Sequence, residues 1–184
     1  MVTNRKASVV WKGNLREGAG RMTTESGVLS DTQYSFRTRF AEGIGTNPDE
    51  LIAASLAGCF SMALSNELGL AGFHPQRIET TANATLEDSA AGWMVTRIQL
   101  DVQANVPDVS QLFFVEAALA AKTRCPIGRL LNTNISMTAR LDPAPQKTGL
   151  QAKRSLSRVL KQTTQIPARK SGRAASVKSK KAKL

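Results

Sequence analysis

The chain has 184 residues and a formal net charge of +11, from 25 Lys and Arg against 14 Asp and Glu. With one histidine and two cysteines it has no Ser/His/Asp or Cys/His triad pattern and no zinc-like ligand spacing. A phosphate loop and a dinucleotide fingerprint are also missing, since Gly18-Ala19-Gly20 is too short and lies between strands.

The charge is unevenly spread. Residues 1–142 hold 13 basic and 14 acidic side chains, whereas 143–184 hold 12 basic and none acidic. The first stretch is long enough to bury a core built from Leu, Ile, Val, Ala and Met. The second, rich in Lys, Ala, Ser, Pro and Gln, has too little apolar surface to fold and is expected to be a disordered tail. No charge-free apolar run reaches 18 residues, and the N-terminus lacks an apolar signal core. A cytoplasmic protein with no membrane span is expected, so its cysteines should be reduced unless they turn over.

Lys6 to Trp11 alternates and is β-branched, which predicts a strand. Met22 to Thr24 and Tyr34 to Phe40 read as two more. In the last, Tyr34, Phe36, Thr38 and Phe40 share one face, and Arg37 and Arg39 the other. After the Gly43-Ile44-Gly45-Thr46 loop a helix begins with strong signals. Asn47 is the N-cap, Pro48 suits the first position, and Asp49 and Glu50 favour the positive helix end. It runs to between Gly69 and Gly72 and is apolar on nearly every face, which predicts a buried central helix. The only histidine, His74, follows as a helix-end or surface residue.

Two long strands come next, carrying Ile78 to Leu86 and Met94 to Val106, joined as a hairpin across Asp88 to Gly92. Val109 to Thr123 predicts a helix with Leu112, Val115 and Leu119 on its apolar side. Cys125-Pro126 opens a third short helix to Leu131. Asn134 to Leu141 closes the body as a strand with Ile135, Met137, Ala139 and Leu141 inward. Three strands, a helix, two strands, helices and a strand make an α+β fold rather than alternating βαβ units. In the tail, Leu150 to Leu160 has the pattern of a short basic amphipathic turn.

The cysteines are the candidates for chemistry. Cys59 sits about three turns into the central helix, where a thiol also serves as a small apolar core residue. Cys125 stands at a helix start beside Arg124, a position that favours thiolate, although a simple capping role fits it too. A static disulfide between them is the remaining option, disfavoured in a reducing cytoplasm. A thiolate needs a cation. Arg37 and Arg39 offer one, if they are not simply a solvated strand face. Asp49 or Glu50 offers a carboxylate to orient it. Asp49 and Cys59 are about 15 Å apart along a helix, so this helix cannot build such a site alone.

Taken together, Thr24-Glu25-Ser26-Gly27-Val28-Leu29, Tyr34 to Phe40, Gly45 to Ala54, Ala57 to Leu64 and Cys125-Pro126 resemble the OsmC/Ohr family, in its OsmC branch. The resemblance covers about Lys6 to Asp142, in order and spacing, and leaves the tail out. It implies an OsmC-like fold of antiparallel sheets around a long central helix, in an intertwined homodimer with sites at the subunit interface. It implies a thiol-dependent peroxidase acting on organic hydroperoxides and, less well, on hydrogen peroxide, in oxidative or osmotic stress defence. By the same resemblance Cys59 is the peroxidatic cysteine, Cys125 the resolving one and Arg39 the active-site arginine. The family glutamate falls on Asp49, one methylene shorter, with Glu50 next door as a possible substitute.

The chemistry so implied needs no metal or organic cofactor, only an external dithiol of lipoyl type or similar. A reading of a different class makes the body a dimeric scaffold. Its tail, with Lys178, Lys180, Lys181 and Lys183, would then bind nucleic acid or another polyanion. A merely solubilising tail is the plain alternative.

Overall fold

The structure, a computed structural model, describes residues 1–143. It begins with an antiparallel sheet of β1 (Ala7–Lys12), β2 (Ala19–Thr24) and β3 (Thr32–Ser35), in that order. Tyr34 lies across Gly20 and meets Trp11 with ring centroids 5.3 Å apart. A Cβ at Gly20 would come 2.0 Å from the Tyr34 ring, so only glycine allows this close cover. β1 is exposed on both faces apart from Trp11.

The strand expected to reach Phe40 stops at Ser35. There the chain turns into α1 (Phe36–Phe40), a single helical turn. Ser35 Oγ accepts from the Thr38 N–H, and the Ser35 N–H donates to Thr38 Oγ1. This reciprocal cap breaks the strand. The alternation misled because Phe36 and Phe40 are also four apart and so share a helix side, with centroids 4.6 Å apart.

Gly45, at φ +127°, then brings the chain back beside β3, where the Thr46 N–H donates to Gln33 O. A Cβ at Gly45 would sit 2.2 Å from that oxygen. This return places the start of α2 (Pro48–Leu70), whose N-cap Asn47 accepts from the Glu50 N–H at 2.9 Å. At 1.5 Å per residue, α2 is about 35 Å long. The helix is where the sequence puts it, but it is not buried all round. Asp49, Ala53, Leu56, Phe60, Leu64 and Leu68 form one buried stripe, while Met62 and Leu70 on other faces are 77% and 74% exposed. By length and composition α2 alone among the described helices would also suffice to cross a membrane, yet its stripe packs into the core with strands and helices of the same chain.

The second sheet holds β4 (Arg77–Ser89), β5 (Gly92–Asn105) and β6 (Asn134–Leu141). β4 and β5 form the expected hairpin, but β6 runs parallel to β5, so the sheet is mixed rather than antiparallel. Between them α3 (Gln111–Arg124) and α4 (Pro126–Leu130) make the long crossover that a parallel pair requires.

The apolar side of α3 is also not the expected one. Leu112 and Leu119 are 72% and 51% exposed, and Phe114, Ala117, Ala118 and Ala121 are buried instead. Small alanines let α3 approach α2 closely, so the core face is marked by small residues and one Phe rather than by bulky aliphatics. Ile98, Leu100, Val102 and Ala104 of β5 complete the core, with Ile135, Met137, Ala139 and Leu141 of β6 packed against it. Each fully buried Leu, Ile or Phe contributes about 1.5–3 kcal/mol of transfer free energy.

Candidate active site

At the N-terminal end of α2, Arg39 Nε donates to Asp49 Oδ2 at 2.9 Å and Nη2 to Oδ1 at 3.1 Å. Two parallel bonds between planar groups fix the guanidinium in orientation as well as place. Asp49 lies on the buried stripe at 8% exposure, and the Arg39 side chain is one-third exposed. The carboxylate holds the guanidinium pKa above its usual value, against the opposing pull of burial. Asn47 Nδ2 donates to Thr38 O at 3.0 Å, so the helix that carries Asp49 is tied to the turn that carries Arg39. The orienting carboxylate is therefore Asp49. Glu50 accepts from Thr46 Oγ1 at 3.1 Å and is exposed. Arg37 is exposed as well.

A cleft of about 340 Å³ opens beside this pair, lined by Arg39, Asp49, Glu50, Ala53, Asn83 and Leu86 among others. Its lining combines charged and polar side chains with aliphatic ones. Cys59 does not line it.

The thiols form the second part of the site. Cys59 is half-buried on α2 and Cys125 is 1% exposed, and both are free. Cys125 caps α4, with the Gly128 N–H donating to Sγ at 3.4 Å. Burial pushes the Cys125 thiol pKa up, the neighbouring Cys59 thiol pushes the same way, and the Gly128 N–H opposes them. The expectation of a thiolate at Cys125 is thus corrected. Cys125 is buried in the apolar cluster, and α4 is too short to offset desolvation. Arg124 does not assist either, because its Nη1 binds both oxygens of Glu67 on α2 at 2.9 Å.

The fold brings the two cysteines together and brings Arg39 to Asp49. Within one chain Asp49 and Cys59 stand ten residues apart on α2, about 15 Å at 1.5 Å per residue. Lys178, Lys180, Lys181 and Lys183, and the turn at Leu150 to Leu160, lie outside the described residues. Among the described residues no three His, Cys, Asp or Glu side chains come together as metal ligands. The sequence reading missed Thr38 and Asn47 as supports of Arg39. The Ser35-x-x-Thr38 spacing is a capping signal hidden inside a strand-like alternation.

The family profile described as OsmC-like protein matches residues 41–140. Peroxiredoxin OsmC of Escherichia coli is 42% identical over 141 residues, covering 77% of this chain and 99% of that protein. The solved structure of the organic hydroperoxide resistance protein OhrB of Bacillus subtilis superposes with a TM-score of 0.55 at 25% identity, over 74% of this chain and 98% of that one. An OsmC-like protein of unknown function from Vibrio cholerae has the same fold, with a TM-score of 0.62 at 17% identity over 76% and 100% of the two chains. A profile spanning more than half of the residues and a relative aligned over almost its full length place this chain in the OsmC family.

Proposed function

We propose that this protein is a thiol-dependent peroxidase that reduces organic hydroperoxides and, less efficiently, hydrogen peroxide. The observation that carries the reading is the placement of two free thiols in one apolar core, Cys125 within the buried cluster and Cys59 packed against it. Relatives named peroxiredoxin and organic hydroperoxide resistance protein support it.

Cys59, as the thiolate, attacks the distal oxygen of the hydroperoxide. The O–O bond breaks, and the alcohol leaves after taking up a proton. Cys59 is then a sulfenic acid. The Cys125 thiol attacks its sulfur, water leaves, and a disulfide joins the two. An external dithiol, lipoyl-type or similar, reduces that disulfide by exchange and itself becomes a disulfide. Arg39, held by Asp49, stabilises the thiolate and the developing negative charge on the leaving oxygen. The aliphatic lining of the cleft suits alkyl or lipid tails.

Asp49, which holds Arg39, stands about 15 Å along α2 from Cys59 of its own chain, so the working unit is a homodimer in which a second copy covers the apolar outer face of α2. Met62 and Leu70 are exposed there in the single chain. The site works without metal or organic cofactor, in the cytoplasm, and takes its electrons from the dithiol.

A peroxide-consumption assay with a dithiol tests this. Cys59→Ser is expected to lose at least about a thousandfold in turnover. Cys125→Ser should still consume one equivalent of peroxide and accumulate the sulfenic acid, seen by mass spectrometry. Full activity in Cys59→Ser rules the mechanism out. The 12 basic residues of 143–184 support a second contact, with a polyanion. Truncation at 142 should then remove salt-sensitive DNA retention, and unchanged retention refutes the contact.

A further inference from the structure

Beside Arg39 lies a short stack of rings that the disulfide chemistry does not use. The Arg39 guanidinium carbon sits 5.3 Å from the centroid of the Phe40 ring. Phe40 in turn meets Phe36 at 4.6 Å and Trp93 at 4.8 Å, all tilted. Arg16 closes the far end, 5.6 Å over Phe36. None of the three rings belongs to the buried core. They form a separate cluster beside Arg39, and Trp93 is 54% exposed.

The topology makes this contact specific. Trp93 follows Gly92, at φ +94°, at the tip of the β4–β5 hairpin. Phe40 ends the single helical turn that carries Arg39. The ring pair joins the hairpin tip to that turn across more than fifty residues of chain. A five-residue helix has little stability of its own, because most of its backbone groups are at an end. Something outside it must hold its side chains in place.

Arg39 is thus held from two directions. Asp49 takes Nε and Nη2 in the guanidinium plane. The guanidinium carbon lies over the Phe40 ring, where the negative face of a ring attracts a cation. Nη1 makes no hydrogen bond among the described residues and remains for a reacting oxygen or thiolate.

We propose that Phe40 and Trp93 are positioning residues for Arg39, Phe40 by its ring face and Trp93 by bracing that ring. The proposal rests on the peroxidase reading, in which Arg39 is the cation of the site. It assigns a role in the reaction to the hairpin tip, a segment remote in sequence from the cysteines and from Arg39.

The test is a double-mutant cycle on the full-length chain in the peroxide assay, with kcat and KM separated. Phe40→Leu keeps apolar volume and removes the ring. It should lower kcat/KM about fivefold, the effect falling on kcat. Phe40→Tyr keeps the ring face and should restore the wild-type value. In an Arg39→Gln background, Phe40→Leu should have no further effect, which a merely structural role would not produce. Trp93→Ala, at a half-exposed site, serves if Phe40→Leu fails to fold. It should lower kcat/KM about twofold to threefold, and Trp93→Phe should not.

An undiminished rate in Phe40→Leu, or the same fivefold loss with and without Arg39, overturns the proposal. Wild type and Cys59→Ser run in parallel. If wild type consumes no peroxide, or Cys59→Ser matches it, the peroxidase reading itself has failed. If wild type works through Cys59 and the ring variants do not differ from it, only the positioning role has failed.

Discussion

The Cys59–Cys125 region and the Arg39–Asp49 region share α2, through Cys59 and Asp49, but are held in different ways. The thiols are held by packing: Cys125 lies in the same apolar cluster as Leu56, Phe60 and Phe114, and Cys59 packs against it. The ion pair is held by direction: a bidentate bond, a tie from Asn47 to Thr38, and the return at Gly45. Dispersion and burial are non-directional and depend on volume, whereas charge-assisted hydrogen bonds depend on angles. Changes of volume should therefore hurt the first region, and changes of hydrogen-bonding geometry the second.

That contrast is open to direct attack. The largest expected effect is in the packed region. Leu64→Ala removes a fully buried side chain of the cluster that Cys59 packs against and should cost about 2–5 kcal/mol in urea unfolding. A loss within experimental error would mean that the cysteines are not held by this core. Next comes the directional region. Arg39→Gln should lower kcat/KM about a hundredfold in the peroxide assay while leaving the urea midpoint close to wild type. An equal loss of stability and activity would erase the distinction between the two regions.

The smallest expected effect is a pH dependence. Burial raises the Cys125 thiol pKa in the folded chain above its unfolded value. The folded state then holds a proton that the unfolded state releases, so the contribution is full below the unfolded thiol pKa, about 8.5, and is lost as pH rises through the higher folded value. Cys125→Ala should flatten that alkaline limb in urea unfolding measured from neutral to alkaline pH. An unchanged limb assigns the effect to other groups.

Local signals were legible wherever one residue type had one structural meaning. Asn47, Pro48, Asp49 and Glu50 announce the start of α2, and the structure uses Asn47 as the cap. Cys125-Pro126 announces the start of α4 in the same way. The strand reading of Phe36 to Phe40 failed because one alternation satisfies two periods. The capping atoms of Ser35 and Thr38 decided between them. The apolar face of α3 was misread because alanine is a weak hydrophobic signal and a strong determinant of helix approach. Of the candidate site, the residue types were legible and the pairings were not. Asp49 and Glu50 are neighbours in sequence, and only the turn of the helix aims one at Arg39 and the other at Thr46.

The sequence by itself determined the α+β class, the position of α2, the two cysteines and the separation of a near-neutral body from a basic C-terminal stretch. These follow from capping, periodicity and charge, which act over a few residues. The tertiary structure alone decided that β6 runs parallel to β5, that burial pushes the Cys125 thiol pKa up where its position suggested a lowered one, and that Asp49 takes Arg39. It also brought the β4–β5 tip to Phe40. Each of these depends on groups far apart in the chain meeting in a medium drier than water, and no local pattern encodes that meeting.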